Sequence, residues 1–584
     1  MKSINKIFSI FGIALALGMS SCVDDLNREP IDPNQITPEN AQGYINQIMA
    51  KCYSGMAVSG QTGPDGSSDI SGLDGGTSQY TRALFMLQEF TTDESKWIWP
   101  DAGVIDLVTN TWGNGNENIF GAYSRLYTHI AICNDFLRLV NGGMDIPADI
   151  QATVDQYKLE ARALRAMSYY WVLDLFGNGG FVDETTEIGV KPVQYTRRQL
   201  YDWLVSELED LVKAFPKDGQ VIYGRVGIDG VEALLARVYL NAEVYTDGAV
   251  SAWQECSQHC ENIIARHKDG WNGTGLVPAY MYLFCGDNDE YMPGGGGTNE
   301  ILWGIPYDSQ YIQAYGGSMF LCAAGISNLT MALNNATMTA SDYGMSAQWG
   351  CMHATSQFAD KFEDNPSDQR WMMWCKDQQG FNKENTNFST FTDGYGVVKF
   401  TNLLKGNVTQ PGDWKADNKW VAANTTYNWS PDNGGIYSNP ADSIYARADN
   451  YPDTDLPLIR LAEVYLMYTE AYIMGGAGDQ TKALTYVNYV RRRAGVADWN
   501  LTHITGADKA DNILDERCRE LYWELTRRSD LVRHGKYAAG GDEYMWSWKG
   551  NEVNGRSINA TMNLFPIPAN VIAAQPEFNQ NPGY

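Results

Sequence analysis

The residue with the most sharply defined chemistry is Cys22. It closes the run Gly18-Met19-Ser20-Ser21-Cys22, behind an uncharged apolar stretch from Ile7 to Leu17 and the basic Lys2 and Lys6. That layout is a secretory signal peptide, too short and wrongly flanked to span a bilayer. Small residues ending at a cysteine make a lipoprotein cleavage site, with Met19 standing where such sites usually carry Leu. Cleavage before Cys22 leaves its thiol at the new N-terminus to take acyl chains. Residues 1–21 therefore read as signal peptide. Residues 22–40, with Pro30, Pro33, Asn34 and Pro38, read as a tether, and 41–584 as the body it holds.

Two oxygen-rich clusters have metal chemistry. Asp287-Asn288-Asp289-Glu290 and Asp453-Thr454-Asp455 offer the hard ligands that Ca²⁺ takes, six to eight at about 2.3–2.6 Å. Asp287, Asp453 and Asp455 are the candidate ligands of a structural Ca²⁺. A competing role has Asp455 capping a helix entered at Pro457. Cys256 and Cys260, with His259 between them, have helical spacing that zinc could use, but no second ligand pair lies nearby. Nine cysteines besides Cys22 form no framework pattern, and buried thiols packing as small hydrophobes explain them better.

Catalytic signatures are scarce. The chain has no G-x-S-x-G elbow, no H-E-x-x-H, no P-loop and no G-x-G-x-x-G. Its six His are scattered, and His534 ends a helical pattern rich in Arg, where a cation suits the helix C-terminus. The reading is a binding protein, not an enzyme, with no catalytic cofactor. A surface glycosidase stays open as an alternative, because carboxylate dyads obey no local spacing rule. A net charge of −27 disfavours nucleic acid and anionic surfaces. The 18 Trp, 34 Tyr and 19 Phe suit sugar binding, since flat rings cover pyranose faces while Asn, Asp and Arg bond hydroxyls.

Helices must position these groups. Apolar residues recur at i, i+3, i+4, i+7 over 121–140, 154–176, 197–215, 228–245 and 250–267, and again over 458–474, 481–494 and 511–533. Short Gly/Asp turns join several of them into pairs of about 35 residues, the size of a tetratricopeptide-type unit. The helical scaffold is expected over 118–268 and 457–535. Residues 60–106 and 270–450 are Gly-, Asn-, Trp- and Tyr-rich and read as the loop regions that carry the ligand.

Six blocks then carry a family resemblance: EARALRAMSYYWVLDLFGNGGF (160–181), GRVGIDGVEALLARVYLNAEVY (224–245), PLIRLAEVYLMYTEAY (457–472), VNYVRRRAGV (487–496), ILDERCRELYWELTRRSDLVRHGKY (513–537) and LFPIPANVIAAQPEFNQNPGY (564–584). In this order, and with the leader, they resemble the RagB/SusD family of outer-membrane nutrient-binding lipoproteins. The resemblance implies a mainly α fold: a right-handed helical body of four tetratricopeptide-like units, with loops and a few short strands forming the ligand face. It also implies a lipid-anchored protein facing the cell exterior. Such a protein captures oligosaccharides without chemistry and hands them to a SusC-type TonB-dependent porin. Arg162, Arg165, Arg460 and Glu470 fall in the family blocks and are expected to be scaffold.

In the loops, GQTGPDG (60–66), GLDGG (72–76), Thr81-Arg82, TDESKWIW (92–99) and YGGS (315–318) resemble the starch-binding members of the family. The resemblance implies an aromatic arc of Trp97, Trp99, Tyr315 and Trp349, with Arg82 and Asp101 reaching the sugar hydroxyls. Asp101 departs from the Asn found there in the starch binders. It also implies calcium near the Asp clusters. Trp97 and Trp99, two apart, face one side if the segment is extended. Starch-type malto-oligosaccharides are the first expectation; levan, xylan, xyloglucan or peptides are the alternatives within the family.

Overall fold

The computed structural model describes residues 40–60, 68–217, 222–289, 300–309, 311–326, 340–362, 368–372, 391, 394–403, 451–538 and 543–584. Cys22, the leader and the tether as far as residue 39 lie outside them, as does all of 404–450. Among the described residues no helix is long and apolar enough to cross a membrane.

The periodic segments fold as the spacing predicts. Helices span Glu117–Arg138, Gln151–Phe176, Arg197–Ala214, Ile228–Leu240, Trp253–Arg266, Leu461–Gly475 and Gln480–Arg493. Each packs against its neighbour in the chain, and Trp253–Arg266 packs on Leu461–Gly475, which joins the two helical halves. Local sequence sets the ends. Asn116 accepts N–H bonds from Asn118 and Ile119, and Thr196 forms a capping box with Gln199. Gly476 ends its helix at φ 66°, a left-handed conformation that glycine adopts without cost.

Three expectations need correction. First, Leu458 does not begin a helix. Leu456–Arg460 is a fully buried strand, paired antiparallel with Ile301–Ile305 in the register Ile301↔Arg460 and Ile305↔Leu456. An apolar run buried on both faces carries no period to separate strand from helix. With a strand at Pro457, Asp455 has no helix to cap. Second, the 511–533 pattern is two helices, Lys509–Leu521 and Arg527–Arg533. Between them Trp523 and Leu525 take φ 60° and 64°. Third, the loop-like 60–106 region contains a fully buried helix, Tyr80–Gln88.

Charge is buried as well as apolar surface. Arg460 holds Glu300 (3.0 Å) and Glu524 (2.6 Å), and Arg493 holds Glu300 (3.0 Å). Arg370 holds Asp368 (2.5 Å) and Glu516 (2.8 Å); Arg527 holds Asp93 (2.7 Å); Lys399 holds Glu524 (2.7 Å). Burial alone would raise Glu516 and Glu470. The guanidinium groups of Arg370, Arg519 and Arg491 instead hold Glu516 well below the usual carboxylate range, and Arg533, His534 and Arg517 do the same for Glu470. Arg162, Arg165, Arg460 and Glu470 are all scaffold ion-pair members, as expected. His534 donates into this network at Glu470 (2.8 Å), so it serves a carboxylate and not only a helix terminus. Removing one partner of such a pair typically costs about 3–5 kcal/mol, because the other charge stays buried alone.

Eight of the ten cysteines are described, all of them buried as thiols. His259 turns away from Cys256 and Cys260 to Glu232 (2.9 Å), so the zinc arrangement does not form.

Candidate functional site

The Tyr80–Gln88 helix builds the floor of the site. Gln79 caps it by accepting the Arg82 N–H, and its amide donates to the carbonyls of Met56 (3.0 Å) and Ala57 (2.9 Å). Arg82 thereby sits in a first turn that is locked to the N-terminal helix Ala41–Ala57. Its guanidinium lies between two rings, 5.1 Å from Trp97 and 5.1 Å from Phe320. Phe320 comes from the short buried helix Ser318–Gly325, and Trp97 from the strand Lys96–Trp97. That strand pairs with Met352–Ala354, and the ladder continues as Ile98 N–H donates to the Cys351 carbonyl at 2.8 Å.

Arg82 is 8% exposed, yet its side chain makes no ion pair, and its Nε meets no acceptor among the described residues. Burial draws its pKa down, against the pull of the Cys351 thiol and the Asp74 and Asp101 carboxylates. A buried guanidinium with donors unspent is costly, and a bound acceptor removes that cost. Gly76 makes room for the arrangement: a Cβ there would come within 3.2 Å of Asp74 Oδ1 and 3.3 Å of Arg82 Nη1.

Trp97 and Trp99 do not share a face. Trp97 is 1% exposed and Trp99 is 38% exposed. Trp99 lies beyond the Lys96–Trp97 strand and meets Trp97 edge-on at 5.7 Å. Trp97 therefore supports the site from below: Nε1 donates to Asp101 Oδ2 (2.8 Å), one face takes Arg82, and Phe90 packs on it at 5.5 Å. The expectation that Trp97 is itself a platform ring is corrected. Trp99 is the ring that reaches solvent.

The remaining expected residues gather around this floor. Tyr315, half-buried, packs on Tyr451 at 5.4 Å, and its Cβ lies 3.6 Å from the position a Gly76 Cβ would take. Trp349, also half-buried, is tied to the Ser318–Gly325 helix by its N–H on the Ala323 carbonyl (2.9 Å). Asp74, Phe320 and Tyr451 were not nominated from the sequence. The Asp-Gly-Gly turn was a visible signal for Asp74. Phe320 lies in a uniformly apolar helix that gives none.

The expected calcium ligands divide. Asp453 Oδ1 accepts the Ser309 N–H (2.7 Å), and Asp455 Oδ1 accepts the Tyr307 N–H (2.6 Å). Asp287 is buried in the adjoining turn, where Asn288 exchanges bonds with the Asp455 backbone. Burial and the charges of Asp289 and Asp453 push Asp455 well above the usual carboxylate range. Among the described residues, no three His, Cys, Asp or Glu side chains converge as a metal cluster.

Comparison with known proteins settles the family. A SusD family model matches residues 299–584. The starch-binding protein SusD of Bacteroides thetaiotaomicron is 30% identical over 100% of this chain and 99% of its own length. The chain belongs to the SusD family. Solved structures match its fold. A SusD superfamily protein of Parabacteroides distasonis has a TM-score of 0.62 at 18% identity, covering 94% of this chain and all of that one. Surface glycan-binding protein A of B. thetaiotaomicron, in complex with laminarihexaose, has a TM-score of 0.58 at 20% identity, covering 92% and 99%. The mainly helical body with a few short strands is thus the SusD fold.

Proposed function

We propose that this protein is a cell-surface binder of neutral glycan chains, held by acyl chains on Cys22, that passes its ligand to a SusC-type TonB-dependent porin. The observation that carries the binding reading is Arg82, a buried guanidinium with unspent donors, under the influence of the Asp74 and Asp101 carboxylates and stacked on Trp97, against which the exposed ring of Trp99 rests. Arg82 donates to a sugar oxygen, the carboxylates accept from neighbouring hydroxyls, and Trp99 covers a ring face. Two carboxylates against one cation disfavour acidic sugars. No step of bond cleavage is assigned: Asp101 spends Oδ2 on Trp97, which makes it a positioned acceptor.

Starch-type α-glucan is the first reading, supported by the full-length likeness to the starch-binding relative. A β-glucan is the second, favoured by the structural neighbour bound to laminarihexaose. Native affinity gels of the natural protein and Arg82→Met, on amylopectin, laminarin and polygalacturonate, test both. Retention by one neutral glucan that Arg82→Met loses supports the site. Retention only by polygalacturonate, or retention that Arg82→Met leaves intact, refutes it. Co-purification of a β-barrel porin with the tagged protein from native membranes tests the partner.

A further inference from the structure

Behind the ligand floor the chain makes an unusual turn. Residues 522–526 join two helices through left-handed Trp523 and Leu525, with no glycine at either position. Side chains of this kind adopt that conformation only where the surroundings impose it. The surroundings are two buried acids from the segment that leads into the Trp97 strand. Glu94 Oε2 accepts the Trp523 N–H at 3.0 Å, and Glu89 Oε1 accepts the Leu525 N–H at 2.7 Å. Their side chains are neighbours, 0% and 1% exposed, and the second oxygen of Glu89 meets no hydrogen-bond donor.

Two carboxylates side by side in a dry site cannot both keep their charge, whereas a proton between them turns repulsion into a hydrogen bond. We infer that Glu89 and Glu94 share a proton at neutral pH, and that this proton pins the 522–526 turn behind the ligand floor and frees it as the pH rises. The nearby cations are already committed. Arg527 sits on Asp93 (2.7 Å) and lies 3.9 Å from Glu94. Lys399 and Arg460 sit on Glu524 (2.7 and 2.6 Å). Lys361 pairs with Asp515 (2.6 Å), and Cys518 is a buried thiol. Burial and the Glu94 charge push Glu89 well above the usual carboxylate range, and burial pushes Glu94 up to about 7.

The turn communicates with the site by packing. Trp523 meets Phe85 at 6.3 Å, and Phe85 meets Phe320 at 5.2 Å, the ring under Arg82. The inference concerns how the candidate site is held, and its core test needs no ligand. A folded state that binds one proton more than the unfolded chain loses stability as pH rises through the interval between the two pKa values. The natural protein should therefore show a protonated-carboxyl infrared band at neutral pH that bleaches on alkalinisation. Its melting temperature should fall from about pH 5 to about pH 8 more steeply than that of Glu89→Gln, in which Glu94 faces Arg527 without a rival. Exchange of the Trp523 and Leu525 amides should quicken over the same range. Absence of the band in the natural protein, or parallel melting curves for the two proteins, overturns the inference. If Glu89→Gln fails to fold, the pH dependence of the Trp523 and Leu525 amide exchange in the natural protein decides alone, because buried Asp455 can supply a protonated-carboxyl band of its own. Glycan retention that tracks the amide exchange supports the link to the site; retention that ignores it removes the link and leaves the shared proton standing.

Discussion

Alanine at Trp97 and alanine at Trp99 should fail in opposite ways, although the residues are two apart. Trp97 is 1% exposed; its removal takes away the Nε1 bond to Asp101, one of the two rings enclosing Arg82, and the contacts with Phe90 and Phe320 at 5.5 and 5.9 Å. Truncating a core Trp costs about 3–5 kcal/mol, which lowers the melting temperature by several degrees. Trp99 is 38% exposed and rests edge-on against Trp97. Its loss removes one ring of ligand contact at a cost of about 2 kcal/mol, roughly thirtyfold in affinity, with the melting temperature nearly unchanged. The assay is paired: a polysaccharide affinity gel and a melting curve for each variant. Trp99→Ala should melt like the natural protein and lose retention. Trp97→Ala should melt early. Unchanged retention in Trp99→Ala removes that ring from the site. An unchanged melting temperature in Trp97→Ala refutes the assignment of Trp97 as support.

Cys22→Ala should release the protein from membranes into soluble fractions, since the acyl chains proposed on Cys22 would be its anchor; retention after a salt wash that would disrupt the proposed porin contact counts against this. If Asp287, Asp453 and Asp455 hold calcium, although they do not converge as a ready-made cluster, the ion offsets the burial and repulsion that raise Asp455, and a ligand at a hundred times its dissociation constant adds about 2.7 kcal/mol. Excess EDTA should therefore lower the melting temperature, and a curve that ignores the change from EDTA to calcium leaves these residues as backbone clamps only. Because Glu516, Glu470 and Glu520 are held below the ordinary carboxylate range, their stabilisation is present above about pH 4.5 and is lost as the pH falls below it. Acid unfolding should be steep, and Glu470→Gln should make it shallower while lowering stability at neutral pH.

Much of the scaffold was legible because long amphipathic helices repeat one signal many times. Glu117–Arg138 through Trp253–Arg266 are each marked by periodicity, and the six family blocks fix their order. The strand Leu456–Arg460 was not legible, since its residues are buried on every side. The break at 522–526 was hidden for a different reason: its left-handed residues are Trp and Leu, held by carboxylates more than four hundred residues away. At the site, the family resemblance pointed to Arg82, Trp99 and Asp101, but it does not say which of two neighbouring rings is exposed. That is why Trp97 and Trp99 looked equivalent in sequence and differ in space.

The ion-pair network also sets an order of events. Asp93 and Glu300 lie in the first and middle parts of the chain, while the cations that neutralise them, Arg460, Arg493 and Arg527, come from the last quarter. Before those arginines are synthesised, closing the core would strand bare carboxylates in a dry interior, at a cost of several kcal/mol for each ion. The body is thus unable to complete itself during synthesis, and an unfinished chain stays open until its C-terminal helices arrive. For a chain with the leader proposed here, which would cross a membrane unfolded, that delay keeps the body open for the passage.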